Sequence, residues 1–252
     1  MRYELLGPLR LVDEETRTVS APKVETLLAT LLIRANQPVS TDELLDELWG
    51  GEPPKRARAA LHVYVSQLRK NFVQPAVEGA AIRTHAQGYL LEVDGASVDV
   101  FHLHALHTRG RSEIGHAPER ALENFTAAAR LFRGPVLGGI DNGLIVGTFT
   151  RWAEEVRLEC LEAIAMCSLR LGRHRELIGD LSKWVEEYPL NENLREQLML
   201  ALYRAGRRAD ALEVFRSARR VLREELGLDP RMTMRRLQVA ILASDADLAI
   251  AG

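Results

Sequence analysis

Residues Pro54 to Phe72, PKRARAALHVYVSQLRKNF, constrain the chain more than any other stretch. At helical pitch, Leu61, Val65, Leu68 and Phe72 fall at i, i+4, i+7 and i+11 and make one apolar stripe. Arg56, Ala59, Val63, Gln67 and Lys70 lie opposite, with Arg58 and Arg69 on one flank. Such a segment has to bury one side and leave the other to solvent or to a partner. A helix laid in the DNA major groove needs short residues for close approach, an amide for base edges and cations for phosphates. An ordinary amphipathic helix with a solvated basic face shows the same pattern, so its neighbours decide.

Those neighbours form a recognisable order. Residues 3–12, with Gly7-Pro8, suggest one or two short strands and a turn, and Thr16 to Val19 a further one. Pro22 suits the first turn of a helix over Lys23 to Ala35, with Val24, Leu27, Leu28, Leu31 and Leu32 as its buried stripe. Asn36-Gln37-Pro38 breaks it. Ser40-Thr41-Asp42-Glu43 has the form of a capping box opening a second helix, which carries Leu44, Leu45, Leu48 and Trp49. Gly50-Gly51-Glu52-Pro53-Pro54 ends that helix, and the Pro54–Phe72 stretch follows. After a loop over 74–80, Ile82 to Thr84 and Tyr89 to Val93 suggest a hairpin around His85-Ala86-Gln87-Gly88. Short strands, three helices and a hairpin describe a helix-turn-helix with a wing: the second helix supports, the third enters the groove, the hairpin reaches nearby backbone.

Charge agrees with this order. From Pro53 to Leu90 there are six cations (Lys55, Arg56, Arg58, Arg69, Lys70, Arg83) and one acid (Glu78), a net of +5. Residues 1–52 hold five cations and ten acids, a net of −5. A basic segment in a chain of net charge −2 marks a face for a polyanion. With 46% hydrophobic and 27% charged residues, the composition is that of a globular protein. No apolar run reaches the roughly 18 residues of a membrane span, and the N-terminus is too polar for a signal peptide. A cytoplasmic, nucleoid-associated location without membrane partners is therefore expected.

The second half reads as all helix, with apolar patterns at about 99–111, 118–132, 150–171, 174–187, 192–205, 208–225 and 231–243. Leu171-Gly172-Arg173 and Ala205-Gly206-Arg207 recur 34 residues apart, each between two helices. That period with Gly at the inter-helix turn is tetratricopeptide spacing. Ala201, Ala211 and Phe215 are the small and aromatic residues that let paired helices approach, and Pro189 and Pro230 close helix pairs. The expected fold is α-rich and two-domain, with Asp94-Gly95-Ala96-Ser97 as the boundary. Residues 1–95 form a winged helix-turn-helix (α+β), and 96–252 an all-α, tetratricopeptide-like helical-repeat domain.

Leu44-Leu45 to Trp49-Gly50, Pro53-Pro54, Val65 to Lys70, Thr84 and Gly88-Tyr89-Leu90 resemble the OmpR-type winged helix. The Pro22-Lys23 helix and the Trp-Gly-x-x-Pro-Pro spacing look most like the Streptomyces antibiotic regulatory protein (SARP) family. Leu131 to Gly134, Leu171 to His174, Tyr188 to Leu190, Met199 to Tyr203 and Glu225 to Pro230 resemble its bacterial transcriptional activation domain. The glycine-rich Gly138 to Gly147 departs from that pattern. The resemblance implies a sequence-specific activator of a secondary-metabolite (antibiotic) cluster. It would bind direct repeats near a promoter as a homodimer or tandem protomers and recruit RNA polymerase. The rival reading is a helical-repeat scaffold or ligand-sensing protein without productive DNA binding.

Roles follow by residue type. Val63, Tyr64 and Gln67 are the candidates for base edges, Gln favouring adenine and Val a thymine methyl. Arg56, Arg58, Ser66, Arg69, Lys70 and the Thr41 hydroxyl are candidates for phosphate, and Arg83, His85 and Gln87 for contacts from the wing. The resemblance makes Glu52, in the Gly50–Pro54 loop, a candidate polymerase contact, although a plain inter-helix turn has the same composition. No acid–base pair or nucleophile is placed for catalysis, and no cofactor is implied, since GxxxxGK[ST] is missing. His102, His104 and His107 cluster, but no thiol or carboxylate at ligand spacing completes a metal site. Cys160 and Cys167, seven residues apart on one helix, stand too far apart for a disulfide and read as buried apolar residues.

Overall fold

The computed structural model describes residues 1–72, 80–140 and 143–244. The expected loop over 74–80 lies outside the described residues except for Ala80, as do residues 141–142 of the glycine-rich stretch and the end of the chain from 245. The fold divides into two units, one of Met1–His107 with Ala127–Arg157 and one of Thr108–Thr126 with Leu158–Gly252.

The first unit opens on an antiparallel sheet of β1 (Arg2–Glu4), β2 (Arg10–Val12) and β3 (Thr16–Thr18). Tyr3 stands opposite Leu11, and the period of two turns both inward, where they are buried. α1 (Pro22–Ile33) buries its expected stripe of Val24, Leu27, Leu28, Leu31 and Leu32, and also Thr26, Ala29 and Thr30. It is therefore enclosed on every side. The Thr26 and Thr30 hydroxyls donate to the carbonyls of Pro22 (3.0 Å) and Thr26 (2.8 Å), so nothing polar is stranded.

Asn36 follows in the left-handed region at φ 64°. Its side-chain amide donates to the Val93 carbonyl at 2.9 Å and its side-chain oxygen accepts from the Val93 N–H at 3.0 Å. This clasp leads into β4 (Pro38–Ser40), a strand the sequence reading missed, because three residues beginning at Pro carry no period. α2 (Thr41–Trp49) opens with the expected capping box: the Glu43 N–H donates to Ser40 Oγ at 3.2 Å and the Ser40 N–H donates to Glu43 Oε2 at 2.9 Å. α3 (Ala57–Asn71) buries Ala57, Leu61, Val65 and Leu68. Phe72, expected on that stripe, is the C-cap residue and only half-buried.

β5 (Ala80–His85) and β6 (Gly88–Val93) form the wing around Ala86-Gln87, and β4 pairs on the far side of β6, in the order β4-β6-β5. A Cβ at Gly88 would lie 2.0 Å from the Val39 carbonyl oxygen, so only glycine lets β4 approach. A short 3-10 turn at Gly95–Ser97 then leads to α4 (Asp99–Glu113). The Asp99 carboxylate accepts from the N–H groups of Leu5 (2.9 Å) and Leu6 (3.0 Å). Beyond α5 (Pro118–Ala129), the Arg133 and Leu137 N–H groups donate to the carbonyls of Leu6 and Leu5 at 2.8 and 3.0 Å. α6 (Leu144–Arg170) starts earlier than the expected residue 150. Glu47 of α2, 3% exposed, accepts from the N–H groups of Ile145 and Val146 in its first turn. Free amides at a helix start favour a carboxylate there.

The second unit contains α7 (His174–Glu187), α8 (Glu192–Arg204), α9 (Arg208–Leu226) and α10 (Met232–Ala243). The 34-residue repeat is reproduced bond for bond. The Arg173 N–H donates to the Ser168 carbonyl at 2.9 Å, and the Arg207 N–H to the Leu202 carbonyl at 2.8 Å. Gly172 and Gly206 sit at φ 70° and 78°, the left-handed position that closes a helix and is cheapest for glycine. Ala201, Ala211 and Phe215 are buried, as expected from their spacing. Cys160 and Cys167 are free and buried on α6, and burial pushes the Cys160 thiol up to about 12. The architecture is thus a winged helix-turn-helix followed in the chain by helical repeats.

The capping box gives a pH-signed prediction. The hydrogen bonds from Ser40 hold the Glu43 carboxyl below its ordinary value of 4.5. Its contribution is present above that value and is lost as pH falls through the lowered one. Ser40→Ala should cost about 1 kcal/mol by urea denaturation at neutral pH, and the gap to the unmodified protein should narrow in acid.

Candidate nucleic-acid interface

The outward face of α3 is set by what holds its inner face. With Leu61, Val65 and Leu68 buried, helical pitch leaves Val63 54% exposed, and Gln67, Ser66, Lys70, Arg56 and Arg58 are exposed as well. Val63 and Gln67 share one face mid-helix, four residues apart. Arg58 pairs with Asp42 at 2.8 Å with both side chains largely in solvent. An exposed pair of that kind is worth under about 1 kcal/mol, so a phosphate can replace the carboxylate.

Tyr64, half-buried, stacks on Trp49 with ring centroids 6.3 Å apart and planes 23° apart. Lys23 stands 5.9 Å from the Trp49 ring centre and donates to the Leu48 carbonyl. The stack fixes the end of α2 against the middle of α3, and it occupies the ring of Tyr64, one of the three candidates for base edges. At the other end of α2, the Thr41 N–H donates to the Gln87 carbonyl at 2.8 Å. The wing turn and the N-terminus of α2 are therefore one structure, with the Thr41 side chain half-buried beside it. Glu52 is exposed in the loop between α2 and α3.

Arg69 faces the wing. Its Nε donates to the Ile82 carbonyl at 3.0 Å and its Nη2 to Thr84 Oγ1 at 2.9 Å, while the guanidinium lies 6.0 Å from the Tyr89 ring centre. Arg83 pairs with Glu92 across the hairpin at 2.6 Å, leaving His85 and Gln87 exposed at its tip. One residue at this junction was not singled out from sequence. His62, exposed on α3, has Nδ1 2.7 Å from the Tyr89 hydroxyl, and the rings meet edge-on. Burial raises the Tyr89 hydroxyl pKa, and the Arg69 charge tempers it. Nothing in the spacing of two residues 27 apart announces that contact. α3 and the wing are thus tied through Arg69 and His62, and both carry exposed polar and cationic side chains.

His102, His104 and His107 lie on α4, and among the described residues no group of three His, Cys, Asp or Glu side chains is placed to hold a metal ion. Among the described residues, no helix is long and apolar enough to cross a membrane.

Comparison with known proteins places both halves. The profile "Transcriptional regulatory protein, C terminal" matches residues 15–91, and "Bacterial transcriptional activator domain" matches residues 98–242. The chain is 39% identical to the regulatory protein AfsR of Streptomyces coelicolor over 99% of its own length and 25% of that protein's. It is 37% identical to the transcriptional regulator RedD of the same species, covering 99% of this chain and 73% of that one. With the regulatory protein DnrI of Streptomyces peucetius the identity is 36%, over 97% and 93% of the two chains. The chain thus spans a quarter of AfsR and nearly all of DnrI. A solved structure of Mycobacterium tuberculosis EmbR in complex with a low-affinity phosphopeptide superposes with a TM-score of 0.86. It is 33% identical and covers 96% of this chain and 65% of that one.

Removing the Arg69 side chain tests how the wing is held. Arg69→Ala should lower stability by about 1–3 kcal/mol, from two lost hydrogen bonds of a charged donor. Faster amide exchange confined to residues 82–84 and 88–91 is the expected signature; exchange unchanged in the wing would contradict the assignment.

Proposed function

This chain belongs to the Streptomyces antibiotic regulatory protein family of DNA-binding transcriptional activators, and from that premise we propose that it switches on a secondary-metabolite (antibiotic) biosynthetic cluster. In this reading residues 1–95 bind direct repeats near a promoter, and residues 96–252 contact a neighbouring protomer and RNA polymerase. Val63 and Gln67 read base edges, with Tyr64 against them. Arg56, Arg58, Lys70, Ser66 and Thr41 anchor phosphates. Arg83, His85 and Gln87 touch backbone beside the wing, Arg69 sets the wing's angle, and Glu52 meets polymerase. The protein works in the cytoplasm, on the nucleoid, by assembly rather than by catalysis.

The observation that carries this reading is the outward face of α3, where an exposed valine and an exposed glutamine stand between cations on a helix buried along its opposite side. Direct repeats suit it, since half-sites about 10–11 bp apart set successive protomers on one face of the duplex. Residues after 95 carry 22 cations (33 minus 11) and 22 acids (35 minus 13), a balance suited to protein contact rather than to DNA.

Electrophoretic shift on the promoters of its own cluster, as salt rises from roughly 50 to 200 mM, tests the proposal. Affinity should fall steeply through counterion release, and the absence of any specific complex would overturn it in favour of a scaffold. Two variants separate the roles. Gln67→Ala should relax preference at one base pair by about 1–3 kcal/mol. Arg56→Ala should weaken all sites alike and lower the salt slope by about one; the same outcome from both would contradict the division.

A further inference from the structure

Where α1, α2 and the first turns of α6 meet, the first unit holds a cavity of about 510 Å³ that DNA reading does not use. That volume lies within the range of small-ligand sites. One wall is aromatic: Phe149 and Trp152, with ring centroids 5.8 Å apart. Leu144, 79% exposed, adds an apolar side chain to the lining. The lining that α2 supplies is acidic, Glu43, Asp46 and Glu47, and Arg34 is the one cation among the described lining residues.

The charges are not equivalent. A helix start draws anions, but here the first-turn amides of α6 already have one, since Glu47 accepts from Ile145 and Val146. Glu43 is engaged by the Ser40 N–H and hydroxyl at 2.9 and 2.7 Å. Asp46, on the same face of α2 by helical pitch, is exposed and lines the cavity. An incoming anion would meet three carboxylates and find the helix end taken. An incoming cation gains the exposed Asp46 carboxylate and aromatic side chains in the same lining.

We propose that this cavity is a binding site for a small amphipathic amine, with its flat apolar body against Phe149, Trp152 and Leu144 and its ammonium directed at Asp46. Because α2 is also the supporting helix of the DNA-binding motif, such a ligand would bind the element that carries the wing contact at Thr41. The site stands independently of whether the chain activates a given promoter.

Calorimetric titration of the full chain with 2-naphthylmethylamine and with its acid counterpart, 2-naphthylacetate, tests the site. The amine should bind saturably and the acid at least about tenfold more weakly. Asp46→Asn should cost the amine about tenfold, as expected for losing one charge-assisted contact. Thr148→Trp, at an exposed position lining the cavity, should abolish binding while melting temperature and promoter binding stay unchanged. Equal binding of amine and acid, amine binding that neither variant alters, or no saturable heat at millimolar amine would each overturn the proposal.

Discussion

The enclosure of α1 on all sides is the constraint on which the rest of the N-terminal unit depends. Eight of its twelve residues are buried, and each fully buried leucine among them is worth about 1.5–3 kcal/mol. A helix apolar all round has to be surrounded, and α2, α3 and the strand β6 surround it. α3 meets that demand with Leu61, Val65 and Leu68, and this fixes which of its residues face away. The exposure of Val63 and Gln67 is a consequence of packing on the opposite side of the same helix.

Around that core, polar ties fix angles where apolar contact alone would allow sliding. Asn36 clasps Val93, the Thr41 amide holds the wing turn, and Arg69 joins the end of α3 to β5. Carboxylates do the same for more distant chain: Glu47 binds the start of α6 and Asp99 the turn after β1. Burial raises the Asp99 pKa and the two backbone amides oppose it, so its charge stays costly enough that it must remain bonded. The Glu47 tie, together with the Arg133 and Leu137 amides on the Leu6 and Leu5 carbonyls, joins residues 127–157 to the first half of the chain in one packing unit. The composition shift at Asp94 to Ser97 carries no sign of that grouping, because hydrogen bonds between segments a hundred residues apart leave no local pattern.

Much of the fold was legible because most of its elements are helices with clean periodicity. The capped start of α2, the paired Gly turns of the repeat and the hairpin all announce themselves through local chemistry. What was not legible depended on distance in sequence. β4 is too short to show alternation. Glu47 lies on the Leu44–Leu48 face of α2, a hint of burial, yet its partners at Ile145 and Val146 are unpredictable from α2 alone. Arg69 looked like any flanking cation until the wing closed on it, and nothing local announces that Tyr64, a base-edge candidate, stacks on Trp49. The outward positions of α3, Val63 and Gln67, were easier, since they follow from the apolar stripe by pitch.

Site-directed cleavage tests directly whether α3 lies in the major groove with Val63 toward the bases. A Val63→Cys variant can be labelled with iron–EDTA selectively, since Cys160 and Cys167 are buried and burial raises both thiol pKa values. On promoter DNA, cleavage should be confined to a few nucleotides within each repeat, with the strand-to-strand offset of a reagent held in the major groove. Cleavage spread evenly along the duplex, or with the offset of a minor-groove reagent, would contradict it.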